Sequence, residues 1–144
     1  MNMKLILALP LVFASAAQAA PANWKPMLSD DKKCTAMVPG NWEKTVTRVG
    51  MQVPAGRSHA IATLEEGTMA DYKGLLHTMY KVTKTMEDSA SRYWVETAGA
   101  KGNNMREWHI AVPGSGGVCT VFIGFDNTLS EADAKTIATS LKKH

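Results

Sequence analysis

The sequence predicts an α+β fold in which an antiparallel sheet of about six strands is flanked by two main helices, in the order βββαβββα, and is held by one disulfide. Short segments in which apolar and polar residues alternate, or that are rich in β-branched residues, recur between turn residues. This pattern is typical of strands. The apolar spacing changes twice to the period of a helix. The chain also contains only two cysteines, Cys34 and Cys119. Because short connections join the strands within each group, we expect them to pair antiparallel.

The first group of strands lies between Cys34 and Leu64. Residues 34–38 alternate between apolar and polar and end at Pro39-Gly40, residues 45–49 are β-branched, and residues 58–64 alternate again. Each pattern predicts a strand followed by a turn. Residues 20–33 are polar and contain two prolines. They are predicted to form an N-terminal arm in which Trp24, Met27 and Leu28 dock on the body as a short arm or a single helical turn.

The first helix is predicted to run from Thr68 to about Asp88. Thr68 and Asp71 have the spacing of a capping box, with Asp in place of Glu. An apolar stripe follows at helical spacing, formed by Tyr72, Leu75, Leu76, Met79, Val82 and Met86. The opposite side of this predicted helix carries a basic row, formed by Lys73, His77, Lys81 and Lys84.

The second group of strands is predicted at residues 91–97, 105–112 and 118–125. The last of these is the longest apolar run after the N-terminal segment, and both of its alternating faces are mostly apolar. It is therefore predicted to be the central strand, covered on both faces. A capping pattern beginning at Ser130 predicts a final helix, whose apolar stripe comprises Ala134, Ile137, Ala138 and Leu141.

The first nineteen residues have the order of a secretory signal peptide. Lys4 precedes a short apolar run, and Ala17-Gln18-Ala19 has the small-residue pattern of a cleavage site. The run is shorter than the roughly 20 residues that a membrane-spanning helix needs. We therefore expect cleavage near Ala19 and a periplasmic or secreted product without a membrane span. The length that remains suits one domain, and a single α+β domain is predicted over residues 34–144.

The two cysteines of an exported chain predict one disulfide, Cys34–Cys119, with two buried free thiols as the alternative. The 16 basic and 13 acidic residues give a net charge of +3, spread evenly along the chain, which does not favour nucleic-acid binding. The sequence has no phosphate-binding loop, no G-x-S-x-G elbow, no H-E-x-x-H and no C-x-x-C. No catalytic residue and no cofactor are therefore predicted.

A possible polar site is predicted on the hairpin of the fourth and fifth strands. Glu107 and His109 are two residues apart and share one face of the fifth strand with Met105. In that hairpin, Trp94 and Glu96 are expected to face the same way. The group could form an acid–base pair or a weak metal site, and an ordinary cross-strand surface is the alternative.

Two further features could serve binding. The chain has nine methionines and four histidines, residue types that suit copper in an exported protein. The methionines are scattered rather than clustered, which favours core positions, so Met105 and His109 are only weak metal candidates. The basic row could meet an acidic partner and is a possible partner surface, although such a row is more often the solvated side of an amphipathic helix.

The segment Val38-Pro39-Gly40-Asn41-Trp42 resembles the V-P-x-x-W opening of Mog1/PsbP-like domains, which include small exported bacterial proteins. The later order of strand, long helix, strand hairpin and C-terminal helix is similar too, over about residues 34–142. The resemblance implies an antiparallel sheet flanked by helices, and roles in binding, assembly or assistance rather than catalysis. It carries no active-site motif onto particular residues.

The leading hypothesis is an exported, non-catalytic binding or accessory protein whose partner is another envelope or exported protein. One alternative in the same class is an immunity or inhibitor protein against a toxin enzyme. Two alternatives in other classes are a periplasmic Met/His metal-binding protein and a small hydrolase built on Glu96, Glu107 and His109. Contact with a partner is expected at the ends of the sheet, at residues 113–117 and at Asp126-Asn127, and the oligomeric state is left open.

Overall fold

A computed structural model of the chain describes residues 19–45 and 50–144. Neither helix in this part has the length and apolar character that a membrane crossing requires. The elements in chain order are β1 (Trp24–Leu28), β2 (Cys34–Pro39), β3 (Glu43–Lys44), β4 (Met51–Gln52), β5 (His59–Glu65), α1 (Met69–Met79), β6 (Val82–Asp88), β7 (Tyr93–Thr97), β8 (Arg106–Gly114), β9 (Gly117–Phe125), α2 (Glu131–Ser140) and β10 (Lys142–Lys143).

The strands form two antiparallel sheets. The larger has seven strands in the order β3-β4-β5-β9-β8-β7-β6, and the smaller has three in the order β1-β2-β10. The predicted α+β class, with an antiparallel sheet and two helices, is confirmed. The second sheet is an addition to the single sheet of about six strands that the sequence predicts.

Strand β9 lies between β5 and β8 in the larger sheet, so the prediction of a central strand is confirmed. On one face, Cys119, Val121, Ile123 and Phe125 are buried in the main core. That core lies between the larger sheet on one side and α2 with the smaller sheet on the other. The opposite face of the larger sheet packs against α1 in a smaller cluster around Leu76. We call this opposite face the outer face.

The predicted disulfide is confirmed and joins the two sheets. Cys34 on β2 is bonded to Cys119 on β9, with an S–S distance of 2.06 Å and a Cα–Cα distance of 5.5 Å. Both cysteines are fully buried. The link fixes the smaller sheet against the centre of the larger one.

Helix α1 is shorter than predicted. The capping box is present, because Thr68 accepts from the Asp71 backbone N–H and the Asp71 carboxylate accepts from the Thr68 N–H. The helix ends at Met79, and Val82–Asp88 forms the edge strand β6 on β7. The prediction of a helix to Asp88 is wrong because residues 82–88 pair with β7 as a strand. Two bulges in this strand place Val82 against the outer-face cluster and Met86 against the main core.

The N-terminal arm docks as a strand of the smaller sheet rather than as a helical turn. Residues 24–28 pair antiparallel with β2 as strand β1, so that Met27 lies opposite Ala36 and is buried in the main core. The sheet pairing satisfies backbone groups that a lone helical turn would leave free. Of the strand predicted at 45–49, residues 46–49 lie outside the described residues, as do residues 1–18 of the predicted signal peptide.

The predicted connection at residues 113–117 is a tight hairpin. Gly114 pairs with Gly117 across β8 and β9, so only Ser115 and Gly116 form the turn. Gly116 has a φ of 77°, in the left-handed region that glycine adopts without steric cost. The turn holds β9 in register with β8.

Helix α2 begins at the predicted cap. Ser130 Oγ accepts a hydrogen bond of 3.1 Å from the Asp133 backbone N–H, and Ala134, Ile137 and Ala138 are buried against the main core. We expect Ser130→Ala to lower the free energy of unfolding by about 1 kcal/mol, because one backbone N–H of the first turn loses its partner. Urea unfolding measures it, with the exposed Lys135→Ala as a control that should change stability by less than about 0.5 kcal/mol. An equal loss in both variants would contradict this role of the cap.

Candidate functional site

The larger sheet divides the predicted polar site between its two faces. In the register of β7 and β8, Glu96 lies opposite Trp108 and Thr97 lies opposite Glu107. Since residues directly opposite each other share a face, Glu96 lies on the face of the main core while Glu107 lies on the outer face. The prediction that Trp94 and Glu96 face the same way as Glu107 and His109 is wrong. A one-residue difference in register moves every side chain of a strand to the other face.

On the face of the main core, Glu96 positions two neighbours. Its Oε1 accepts from Trp108 Nε1 at 2.6 Å and from Arg106 Nη2 at 2.7 Å. Trp108 is buried and packs edge-to-face on Trp94, at 5.1 Å between ring centroids. The Trp94 indole N–H has no hydrogen-bond partner among the described residues. Glu96 is thus engaged in structural hydrogen bonds.

On the outer face, His109 is buried at the floor of a groove. It is 5% exposed, its Nε2 lies 3.1 Å from Thr97 Oγ1, and Thr97 Oγ1 in turn lies 3.5 Å from Glu107 Oε2. Tyr80 and Phe122 enclose the imidazole, with ring centroids at 4.5 and 5.0 Å. Burial lowers the pKa of His109 to about 4, so the imidazole is neutral at neutral pH.

The weak metal candidates do not form a ligand cluster. His109 is surrounded by Thr97, Tyr80 and Phe122, and Met105 lies just before β8 and is half-buried. Within residues 19–45 and 50–144, no group of three or more His, Cys, Asp or Glu side chains is placed to hold a metal ion. The arrangement around His109 therefore supports packing rather than coordination.

The predicted basic row does not lie on one helical face. Lys73 Nζ is 2.5 Å from Asp88 Oδ1 and lies over the Tyr93 ring at 4.7 Å. His77 Nε2 is 2.6 Å from the Tyr93 hydroxyl. Lys81 follows α1 and Lys84 belongs to β6, so these two lysines are not part of the helix. The row is broken because α1 ends at Met79, and its first two members point towards Tyr93.

The exposed side of α1 is instead apolar, which the sequence interpretation missed. Leu75 is 54% exposed, Met79 is 62% exposed, and Tyr80, the C-terminal capping residue, is 38% exposed. Of the helical residues only Leu76 is buried. One signal was available in the sequence. On a helix, the apolar residues at 72, 75, 76, 79 and 80 spread over a wider arc than a single buried stripe occupies, so part of that arc is expected to stay exposed.

A groove of about 410 Å³ runs beside this apolar side of α1. Its wall is α1, its floor is formed by β5, β9 and β8, and Glu65 is its only residue with a full charge at neutral pH. The groove is lined by Ile61, Thr63, Glu65, Tyr72, Leu75, Leu76, Met79, Tyr80, His109, Thr120 and Phe122. Groove and exposed helix side together form the candidate site, and we call them the α1 surface.

No protein-family model matches the chain, and no curated protein matches it. The structure is similar to the solution structure of cyanobacterial PsbP (CyanoP) from Synechocystis sp. PCC 6803, with a TM-score of 0.55 and 11% sequence identity. The similarity covers 92% of this chain and 99% of that chain. At this identity the likeness concerns the fold alone, and the Mog1 part of the sequence resemblance stays a prediction. The chain therefore has a distant PsbP-like fold.

Proposed function

We propose that the protein is an exported, non-catalytic accessory protein that acts through protein–protein contacts made by the α1 surface. Its partner is another exported or envelope protein. The exposure of Leu75, Met79 and Tyr80 on one helix beside an apolar groove carries this proposal. Contiguous exposed apolar patches of this kind are typical of interaction sites.

The energetics favour a contact at this surface. Fully burying a leucine or methionine side chain is worth about 1.5–3 kcal/mol relative to leaving it in water. Leu75 and Met79 are both more than half exposed, so a partner that covers them gains much of this free energy. The half-buried Ile61 and Phe122 in the groove add further apolar area.

Export is supported by two independent features. The sequence begins with the pattern of a signal peptide. The Cys34–Cys119 disulfide fits an oxidising compartment, such as the bacterial periplasm. Both features agree with a role outside the cytosol.

A hydrolase built on Glu96, Glu107 and His109 receives no support, because the sheet separates Glu96 from the other two residues. Its proton-transfer groups would have to lie within hydrogen-bond reach of one substrate. The inhibitor alternative uses protein contacts as well, and the identity of the partner distinguishes it from an accessory role.

Site-specific photo-cross-linking in cells tests the proposal. A photoreactive residue at position 79 should give an adduct with a different exported or envelope protein. Leu28, which is 42% exposed on β1 in the other layer of the molecule, is the matched control position and should give no such adduct. The adduct at 79 should disappear when Leu75→Glu is added, since a charge would then enter the apolar contact.

An absence of any hetero-adduct at position 79, or the same adduct from position 28, would contradict the proposal. An enzyme as the captured partner would favour the inhibitor role. A component of an envelope assembly would favour the accessory role.

A further inference from the structure

The sulfur atoms of the protein are shielded from solvent at all but one position. The two cysteines are joined in the buried disulfide, so neither offers a thiol. Of the seven methionines in the described part of the chain, Met27 and Met51 are buried. Four others are half-buried, namely Met37, Met69, Met86 and Met105. Among these seven, Met79 alone is exposed, with 62% of its surface open to solvent.

A change to the Met79 side chain would alter the surface of the protein but not its core. Met79 is the last residue of α1 and belongs to neither of the two core clusters. Leu75 lies four residues earlier and therefore on the same side of the helix, and the two side chains form the exposed apolar edge of the groove. A modification at Met79 therefore acts on the α1 surface and leaves the packing of Leu76 in place.

The thioether of methionine reacts with peroxides to give a sulfoxide. The sulfur donates an electron pair to one peroxide oxygen, an S–O bond forms and the O–O bond breaks, and hydrogen peroxide is thereby reduced to water. Because the oxidant has to reach the sulfur, exposure decides which methionine reacts. The sulfoxide is polar, so a partner that covers it beside Leu75 has to bury a polar group, which costs free energy unless a donor meets it.

We propose that Met79 is an oxidation site through which peroxides weaken the contact made by the α1 surface. The thioether is the binding form, and the sulfoxide releases the partner. Because methionine sulfoxide reductases restore the thioether, the change is reversible. The inference rests on the proposed function, since it assigns a regulation to the contact that this function requires.

Mass spectrometry of the folded protein during treatment with millimolar hydrogen peroxide measures which methionines gain oxygen. Met79 should react about tenfold faster than Met27 and Met51, because its side chain is open to solvent. The protein unfolded in urea is the control for intrinsic reactivity and should show no such preference. A rate at Met79 no higher than the rates of the buried methionines would overturn the proposal.

Cross-linking from position 78 measures the effect of oxidation on the contact. Thr78 is exposed on α1 next to Met79, so a photoreactive residue at this position leaves the thioether in place. One half of the purified protein is oxidised at Met79, the peroxide is removed, and both halves are irradiated in an extract of exported and envelope proteins. The oxidised half should give about fivefold less, or lower still, of the adduct that position 79 forms in cells, because a polar group then enters the contact.

Met79→Leu is the matched variant for this comparison. Leucine is apolar and of similar volume but has no sulfur, so the adduct of this variant should be the same before and after peroxide treatment. Met105→Leu, which removes a half-buried methionine outside the α1 surface, should keep the loss. Methionine sulfoxide reductase should restore the adduct of the oxidised protein, and circular dichroism should show one fold throughout.

An adduct that oxidation of Met79 leaves unchanged would overturn the inference while the proposed function stands. An equal loss of adduct in Met79→Leu would overturn it as well, because the oxidised group would then be a different one. Absence of the adduct from the untreated protein would overturn the proposed function and this inference together.

Discussion

Replacing both cysteines, as Cys34→Ala with Cys119→Ala, is expected to lower the free energy of unfolding by about 2–5 kcal/mol. The bond joins residues separated by 85 positions, and a loop of roughly this length corresponds to about 4–5 kcal/mol when the cross-link acts through the entropy of the unfolded chain. The small cavity left by two missing sulfur atoms adds to the loss. Urea unfolding of the oxidised wild type and the double variant measures the difference.

Two comparisons separate the cross-link from the packing of the sulfur atoms. Wild-type protein kept reduced retains both sulfur atoms but not the bond, so it should lose most of the same free energy. Alkylation of unfolded, unreduced wild type should label no thiol. A double variant that is less than about 1 kcal/mol weaker than the oxidised protein would show that the cross-link contributes little beyond ordinary packing.

The fold could be predicted where a local pattern has one structural meaning. The strand predicted from the apolar run at residues 118–125 and the caps at Thr68 and Ser130 all appear in the structure at the predicted places. The end of α1 could not be predicted in the same way. Val82 and Met86 continue the helical spacing of the stripe, but pairing with β7, which is a tertiary contact, makes this segment a bulged strand.

The candidate site depended on information that is not local. The grouping of Glu96 with Glu107 required the exact register of β7 and β8, and a difference of one residue placed them on opposite faces. The exposure of Leu75 and Met79 depends on how α1 is rotated over the sheet. That rotation places Leu76 in the outer-face cluster and Lys73 and His77 beside Asp88 and Tyr93. These contacts exist only once β6 has paired with β7.

Acidification from pH 6.5 to pH 4 is expected to remove up to roughly 3 kcal/mol of stability through His109, since each unit of pKa difference corresponds to about 1.36 kcal/mol. Burial lowers the pKa of this imidazole from 6.5 to about 4, so the unfolded chain binds a proton in this range that the folded chain does not. The contribution is fully present above pH 6.5 and is lost as the pH falls towards 4. Urea unfolding at several pH values measures the slope.

The variant His109→Leu should flatten this slope between pH 6.5 and 4, even though it also removes the hydrogen bond with Thr97 and lowers stability at every pH. His59→Leu is the matched control, because His59 lies on the same face of the sheet but is only half-buried, and this variant should keep the slope. The pKa of Asp126 is lowered from 3.8 by its hydrogen bonds with Thr128, so most of the stability lost through this carboxyl is lost below pH 4. An unchanged slope in His109→Leu would show that the imidazole is hydrated in the folded protein, and that the groove beside α1 admits water to its floor.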